Sequence, residues 1–164
     1  MWVSSNPYPH RRCNVSRISQ QLGAQGEQLA VGALRRIGVD MIQKIATPVA
    51  LFPVPNMTAA FHVKWATPVS GDHTGIARGG LFVLVEVKTC FGRNLRWSDF
   101  EDHQRVGLSE HVAHGGIALV VYVTDNGAHV LRWPIHGFRD GKGISPSVAD
   151  ALALIDEQGL LGRD

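Results

Sequence analysis

Glu86 and Lys88 stand two residues apart inside an otherwise apolar run, Gly80-Leu81-Phe82-Val83-Leu84-Val85-Glu86-Val87-Lys88-Thr89-Cys90. Such a run has the pattern of a buried central strand. Alternation puts both charged side chains on one face, roughly 7 Å apart, with Phe82 and Leu84 behind them. Leu81, Val83, Val85 and Val87 take the other face. A strand covered on both sides carries charge only where something pairs with it, because an unpaired buried ion is very costly. The preceding chain offers one candidate. Between Asp40 and Glu86 the only acidic residue is Asp72, in the turn-rich run Ser70-Gly71-Asp72-His73-Thr74-Gly75. An Asp between glycines also serves as an ordinary turn residue that hydrogen-bonds locally.

Carboxylates held within about 4 to 6 Å of each other repel and raise their own pKa values unless a divalent cation keeps them ionised. Mg²⁺ suits such a site, since it takes oxygen ligands, retains several waters and shares its remaining positions with phosphate. On this reading Asp72 and Glu86 are metal ligands, together with a backbone carbonyl near Val87, and Mn²⁺ is an acceptable substitute for Mg²⁺. Lys88 orients a water nucleophile and stabilises charge on the attacked phosphate. Gln104 holds the water or a phosphate oxygen, and Glu27 is a further carboxylate of the same catalytic set. No small-molecule cofactor is expected.

These residues need a scaffold. Leu22, Leu29, Ala30, Ala33, Leu34 and Ile37 recur at helical spacing, which predicts a helix from about Ser19 to Ile37 ended by Gly38. Glu27 falls beside the line of Gly23, Val31 and Leu34, either as an inward carboxylate or as a plain surface one. Met41 to Ile45 reads as a strand. Pro48, Pro53, Pro55 and Pro68 then exclude a central strand, while the alternation of Phe61-His62-Val63-Lys64-Trp65 suggests an extended pair, a projecting hairpin over residues 48–66. After Cys90, Ser98 and Glu101 form a capping box before a helix carrying Phe100, Val106, Leu108, Val112 and Ala113 and ended by Gly115-Gly116. Gln104 lies one turn from Phe100 and Leu108. His103, His111 and His114 are spread around that helix and read as surface imidazoles rather than a zinc site. Ile117 to Thr124 is a second buried strand, Asp125-Asn126-Gly127 a hairpin turn and Ala128 to Trp133 its partner, stopped by Pro134. Ser147 caps a last helix from about Val148 to Gln158. The order describes an α/β domain: one mixed central sheet flanked by helices.

At 164 residues the chain is expected to form one domain, residues 19–164, behind a mobile arm of residues 1–18. The net charge of +2 does not announce a polyanionic partner, but Arg11, Arg12, Arg17, Arg35, Arg36 and Lys44 outnumber Glu27 and Asp40 in the first forty-four residues. That bias suits contact with a polyanion, and equally a solvated tail. No apolar run reaches the length of a membrane span and no signal-peptide core follows Arg11 and Arg12, so the expectation is a cytoplasmic protein away from membranes. Cys13 and Cys90 make neither a disulfide framework nor a metal-ligand spacing.

The spaced Asp72 and Glu86-Val87-Lys88 resemble the motif of the PD-(D/E)xK nuclease superfamily. Further segments resemble one branch of it, the RecU-type Holliday junction resolvases: Gly26-Glu27, the turn Ser70 to Gly75, Phe100-Glu101-Asp102-His103-Gln104, and Gly115-Gly116-Ile117-Ala118-Leu119-Val120-Val121. The resemblance runs from about Ala24 to Ile144. It implies a restriction-endonuclease-like fold and a homodimeric, Mg²⁺-dependent endonuclease that binds four-way DNA junctions and nicks two opposing strands symmetrically. It implies that the proline-bracketed segment is a protruding stalk, with Phe61, Lys64 and Trp65 placed to contact bases and backbone. Arg11, Arg12 and Arg17 would grip duplex phosphates, as would Arg93 and Arg96 beyond the central strand. No second acidic residue accompanies Asp72 in its turn, so the number of bound ions stays open. Two other readings fit the same residues: a nuclease for other branched or duplex DNA, and a non-catalytic DNA-binding module with Glu86 and Lys88 as a structural pair.

Overall fold

The computed structural model describes residues 12–46, 49–53, 61–65 and 70–161, with side chains for 21–46 and 70–153. Its elements in chain order are α1 (Arg12–Arg36), β1 (Val39–Lys44), β2 (Val49–Pro53), β3 (Phe61–Trp65), β4 (His73–Ala77), β5 (Phe82–Thr89), α2 (Asp102–Ala113), β6 (Ile117–Thr124), β7 (Gly127–Arg132) and α3 (Pro146–Leu161). Five strands form one sheet in the order β1-β4-β5-β6-β7. β5 and β6 run parallel, with α2 as the crossover between them, and every other neighbouring pair is antiparallel. This is the mixed α/β sheet expected from the chain's patterning.

β6 is buried along its whole length because both faces of the sheet are covered. On one face Val83 and Val85 join Leu119, Val121, Val123 and the α1 residues Ala30, Ala33 and Leu34. On the other, Leu84 joins Leu108 of α2, Val120, Tyr122, Trp133 and the α3 residues Ala149 and Ala153. Glu86 and Lys88 follow Leu84 in alternation and belong to this second face.

Several boundaries differ from the sequence expectation. α1 begins at Arg12 rather than Ser19, because nothing between Pro9 and Gly23 breaks a helix. His73-Thr74-Gly75 is strand rather than turn, paired with β5 through His73↔Val85 and Thr74↔Leu84. The reversal falls later, at Arg78-Gly79-Gly80, where both glycines take positive φ. Phe82, placed by alternation behind Glu86, is half exposed at the open end of β5. Ser98 does not cap α2. It lies in a 3₁₀ turn, Trp97–Asp99, and Phe100 then turns extended to bury itself, so the cap moves to Glu101 with Gln104 as its partner. α3 starts at Pro146, behind Ser145, whose hydroxyl accepts the Val148 N–H. β2 and β3 pair only with each other, in the register Val49↔Trp65 to Pro53↔Phe61, which is the extended pair read from the prolines. The tip of that pair lies outside the described residues. No helix among the described residues is long and apolar enough to cross a membrane.

Three glycines allow close approaches that seat the helices. A Cβ on Gly107 of α2 would stand 2.2 Å from Ser70 Cβ, and one on Gly26 of α1 would stand 2.2 Å from Thr89 Oγ1. A Cβ on Gly71 would meet Leu84 Cδ1 at 2.6 Å, at a backbone φ of +83°. Gly107→Ala should therefore push α2 off the Ser70 turn and destabilise the protein by about 1–3 kcal/mol. Adding Ser70→Gly should recover most of that loss; equal urea midpoints for Gly107→Ala with and without it would show that the close contact is not the cause.

Candidate active site

The site lies where β4 and β5 part. Pairing of the two strands ends at His73↔Val85, and one residue earlier the Asp72 N–H still donates to Val85 O at 2.7 Å. Beyond that point the backbone of β4 no longer follows β5, and the Asp72 side chain takes over: Oδ2 accepts the Val87 N–H at 2.7 Å. A carboxylate thus replaces a carbonyl in the ladder and is fixed beside Glu86 and Lys88. Gly71 turns the chain into this position, and the Ser70 hydroxyl donates to His103 O of α2 at 2.9 Å.

Glu86 is almost completely buried, 1% exposed. Its Oε1 lies 2.7 Å from Lys88 Nζ, while its Oε2 has no hydrogen-bond partner among the described residues. Burial, and then the neighbouring Asp72 charge, push its carboxyl up to about 7. Lys88 and the Gly71 backbone amide act in the opposite direction. Lys88 is pinned from several sides. Nζ donates to Gln104 Oε1 at 2.8 Å and sits 4.9 Å from the centroid of the Phe100 ring. Gln104 Oε1 also accepts the Glu101 N–H at 3.0 Å, so the bond that caps α2 also aims the amide at Lys88. Phe100 is held from beneath by Trp133 and Phe138, at centroid distances of 5.5 and 5.7 Å.

Asp72, Glu86, Lys88 and Gln104 are therefore brought together. Glu27 is engaged elsewhere: both its oxygens accept from Lys44 Nζ at 2.7 Å. His73 lies within electrostatic reach of Glu27, Asp72 and Lys44, but burial dominates and holds its imidazole below the usual range. Arg93 donates to Asp99 Oδ2 at 2.7 Å, and Arg96 is exposed. Arg11, and the side chains of Arg12, Arg17, Phe61, Lys64 and Trp65, lie outside the described residues. Phe100 as the support of Lys88 was not anticipated as a site residue. Nothing in the sequence signals this role, because only the fold brings the Phe100 ring against Lys88.

The donor set suits a hard divalent cation. Two carboxylates converge, one buried oxygen lacks a partner, and the mutual repulsion that lifts Glu86 is the kind a cation relieves. Among the described residues no cluster of three or more His, Cys, Asp or Glu side chains forms a metal cage. The convergent carboxylates among the described residues are the two of Asp72 and Glu86.

No protein-family model matches the chain, and no curated protein matches it in sequence. Among solved structures, it is similar to Hjc, a Holliday junction resolvase from the archaeal hyperthermophile Archaeoglobus fulgidus. The two are 17% identical, the match covers 78% of this chain and 92% of that one, and the TM-score is 0.48.

Because the carboxyl of Glu86 is raised in the folded state, the folded chain binds more protons than the unfolded chain between about pH 4.5 and 7. Without metal, stability should fall as pH rises through that window. Glu86→Gln removes the ionisation, and in chelator at pH 8 it should be more stable than the parent by about 2–4 kcal/mol. Parallel pH–stability curves for the two proteins would refute the assignment.

Proposed function

We propose that the protein is a Holliday junction resolvase of the PD-(D/E)xK nuclease superfamily, of the RecU type: a Mg²⁺-dependent endodeoxyribonuclease that binds four-way DNA junctions as a homodimer and introduces symmetric nicks in recombination and repair. The observation that carries this reading is the convergence of Asp72 and the Glu86–Lys88–Gln104 chain, with one buried carboxylate oxygen that has no hydrogen-bond partner among the described residues. A purely structural ion pair would satisfy its own buried oxygens.

The residues divide the work of phosphodiester hydrolysis by their chemistry. Asp72 and Glu86, with the Val87 carbonyl, would hold Mg²⁺ or Mn²⁺. When bound, such an ion neutralises the carboxylates and draws electron density from a phosphodiester oxygen. Lys88 places a positive charge where negative charge grows on the attacked phosphate, and its hydrogen-bonding hydrogens can orient a water toward phosphorus. The Gln104 amide keeps that ammonium from collapsing wholly onto Glu86. Aromatic packing beneath Lys88 excludes water from one side, which strengthens these electrostatic terms. The β2–β3 pair would serve as the stalk that enters the junction, with Phe61, Lys64 and Trp65 on β3. Arg11, Arg12 and Arg17 would contact duplex phosphates. Glu27 would join the catalytic set as a further carboxylate only by leaving its pair with Lys44.

Asp72→Ala or Glu86→Ala should lower Mg²⁺-dependent cleavage of a synthetic four-way junction at least 10³-fold while junction binding persists. Lys88→Met should do the same with metal binding retained. Cleavage that survives loss of either carboxylate would sink the catalytic reading. Equal cleavage of the junction and its matching linear duplex would replace a resolvase by a general nuclease.

A further inference from the structure

Between β5 and α2 the chain passes through Phe91 to Trp97, and after β7 the segment 139–143 returns to lie against it. Two backbone hydrogen bonds lock these segments together: Leu95 N–H donates to Ile144 O at 3.0 Å, and Ile144 N–H donates back to Leu95 O at 2.8 Å. A Cβ on Gly143 would stand 3.1 Å from Leu95 O, so the segments touch through backbone. The Gly92 N–H donates to Asp125 Oδ2 at 2.7 Å and ties the first segment to the β6–β7 turn. Between the segments lies a cavity of about 510 Å³, lined by Arg93, Asn94, Arg96, Trp97, Asp140 and Lys142 among others.

The charges in this cleft are unevenly committed. Arg93 is bound to Asp99 and to Asn94 O, and the Asp140 carboxylate accepts the Gly141 N–H at 3.0 Å. Arg96 and Lys142 are exposed, and neither has an ion-pair partner among the described residues. A second, more open cavity shares Trp97, Ser98 and Asp140 with the first and continues to Phe100 and Glu101. Phe100 touches Lys88 and Glu101 is capped by Gln104, so the second cavity ends beside residues that contact the candidate catalytic lysine, although Lys88 itself does not line it. An occupant that reaches from Arg96 and Lys142 to Lys88 must bear negative charge at both ends and pass the Glu101 and Asp102 carboxylates between them. A strand with a phosphate at every step does so.

We infer that the cleft between residues 92–98 and 139–143 binds a phosphodiester flanking the one presented to Glu86 and Lys88, with Arg96 and Lys142 as its cationic ligands. The inference rests on the nuclease reading for its choice of occupant. Arg93 is then a positioning residue, holding Asp99 and the 92–96 segment in place, rather than a phosphate ligand.

The test uses the full chain in chelator, where scission is prevented, with a fluorescent four-way junction titrated over a series of salt concentrations. Replacing both ligands, Arg96→Gln with Lys142→Gln, should weaken binding about 5- to 50-fold and reduce the salt slope by about two. Arg78→Gln, an exposed arginine in the β4–β5 turn outside the cleft, should change neither. An unchanged slope in the double variant, or an equal loss in Arg78→Gln, overturns the inference. A tetrathymidylate probe followed by amide NMR gives a second measurement: it should shift the Gly92, Gly141 and Gly143 amides in the parent and not in the double variant. If those shifts and the slope loss appear while Mg²⁺ produces no cleavage, the nuclease reading fails and the cleft stands as a phosphate site. If cleavage is intact and the slope does not move, the cleft alone fails. A parent chain that binds no DNA at all overturns both.

Discussion

The structure depends on one ammonium group. Lys88 is held at once by the Glu86 carboxylate of its own strand and by the Gln104 amide and the Phe100 ring at the entry of α2. An ion pair this deeply placed gives little net stability, because two charges have left water to make it. What it fixes is arrangement. Any shift of α2 along the sheet breaks the Gln104 contact, and any slip of β5 by one residue would turn both charges into the α1 face among Ala30, Leu34 and Leu119. The register of the central strand is therefore as strongly specified by its polar residues as by its apolar ones. Tyr122, directly across from Lys88 on β6, is buried beside this group and satisfies its hydroxyl by donating to Arg93 O at 2.9 Å.

Small residues let the surrounding elements come close enough to do this. Gly26 allows α1 onto Thr89, Gly107 allows α2 onto Ser70, and Gly71 passes over Leu84. Each contact lies within two residues of a site group or of its support, or of the helix that bears it. A packed interior transmits small displacements instead of absorbing them, so these approaches set the distance between Asp72 and Glu86. That distance contributes, after burial, to how far the Glu86 carboxyl is raised, which links helix packing to the electrostatics of the site.

Much of this was legible in the residues. The apolar run with two charges in it located the central strand, the lone acidic residue between Asp40 and Glu86 located its partner, and the prolines excluded residues 48–66 from the main sheet. The errors were local. Ser98 and Glu101 satisfy the spacing of a capping box, but the burial of Phe100 among Trp97, Trp133 and Phe138 outweighs a single cap and displaces the helix start. Phe82 follows the alternation correctly and is nevertheless exposed, because alternation specifies a face and not how far the neighbouring layer extends. The partner of Glu27 could not be read at all. Its pairing with Lys44 joins α1 to the end of β1, and only the folded chain brings those positions together.

The parallel pairing of β5 with β6 also decides which part of the chain gives the site its character. β1, β4 and β5 form an antiparallel set on their own, joined by connections that need no later sequence. Taken without α2 and β6, that set has β5 as its outer edge and gives Glu86 no cover on that side. The raised proton affinity of Glu86 is thus a property of the completed sheet, created by the crossover that lays β6 and the aromatic floor against it.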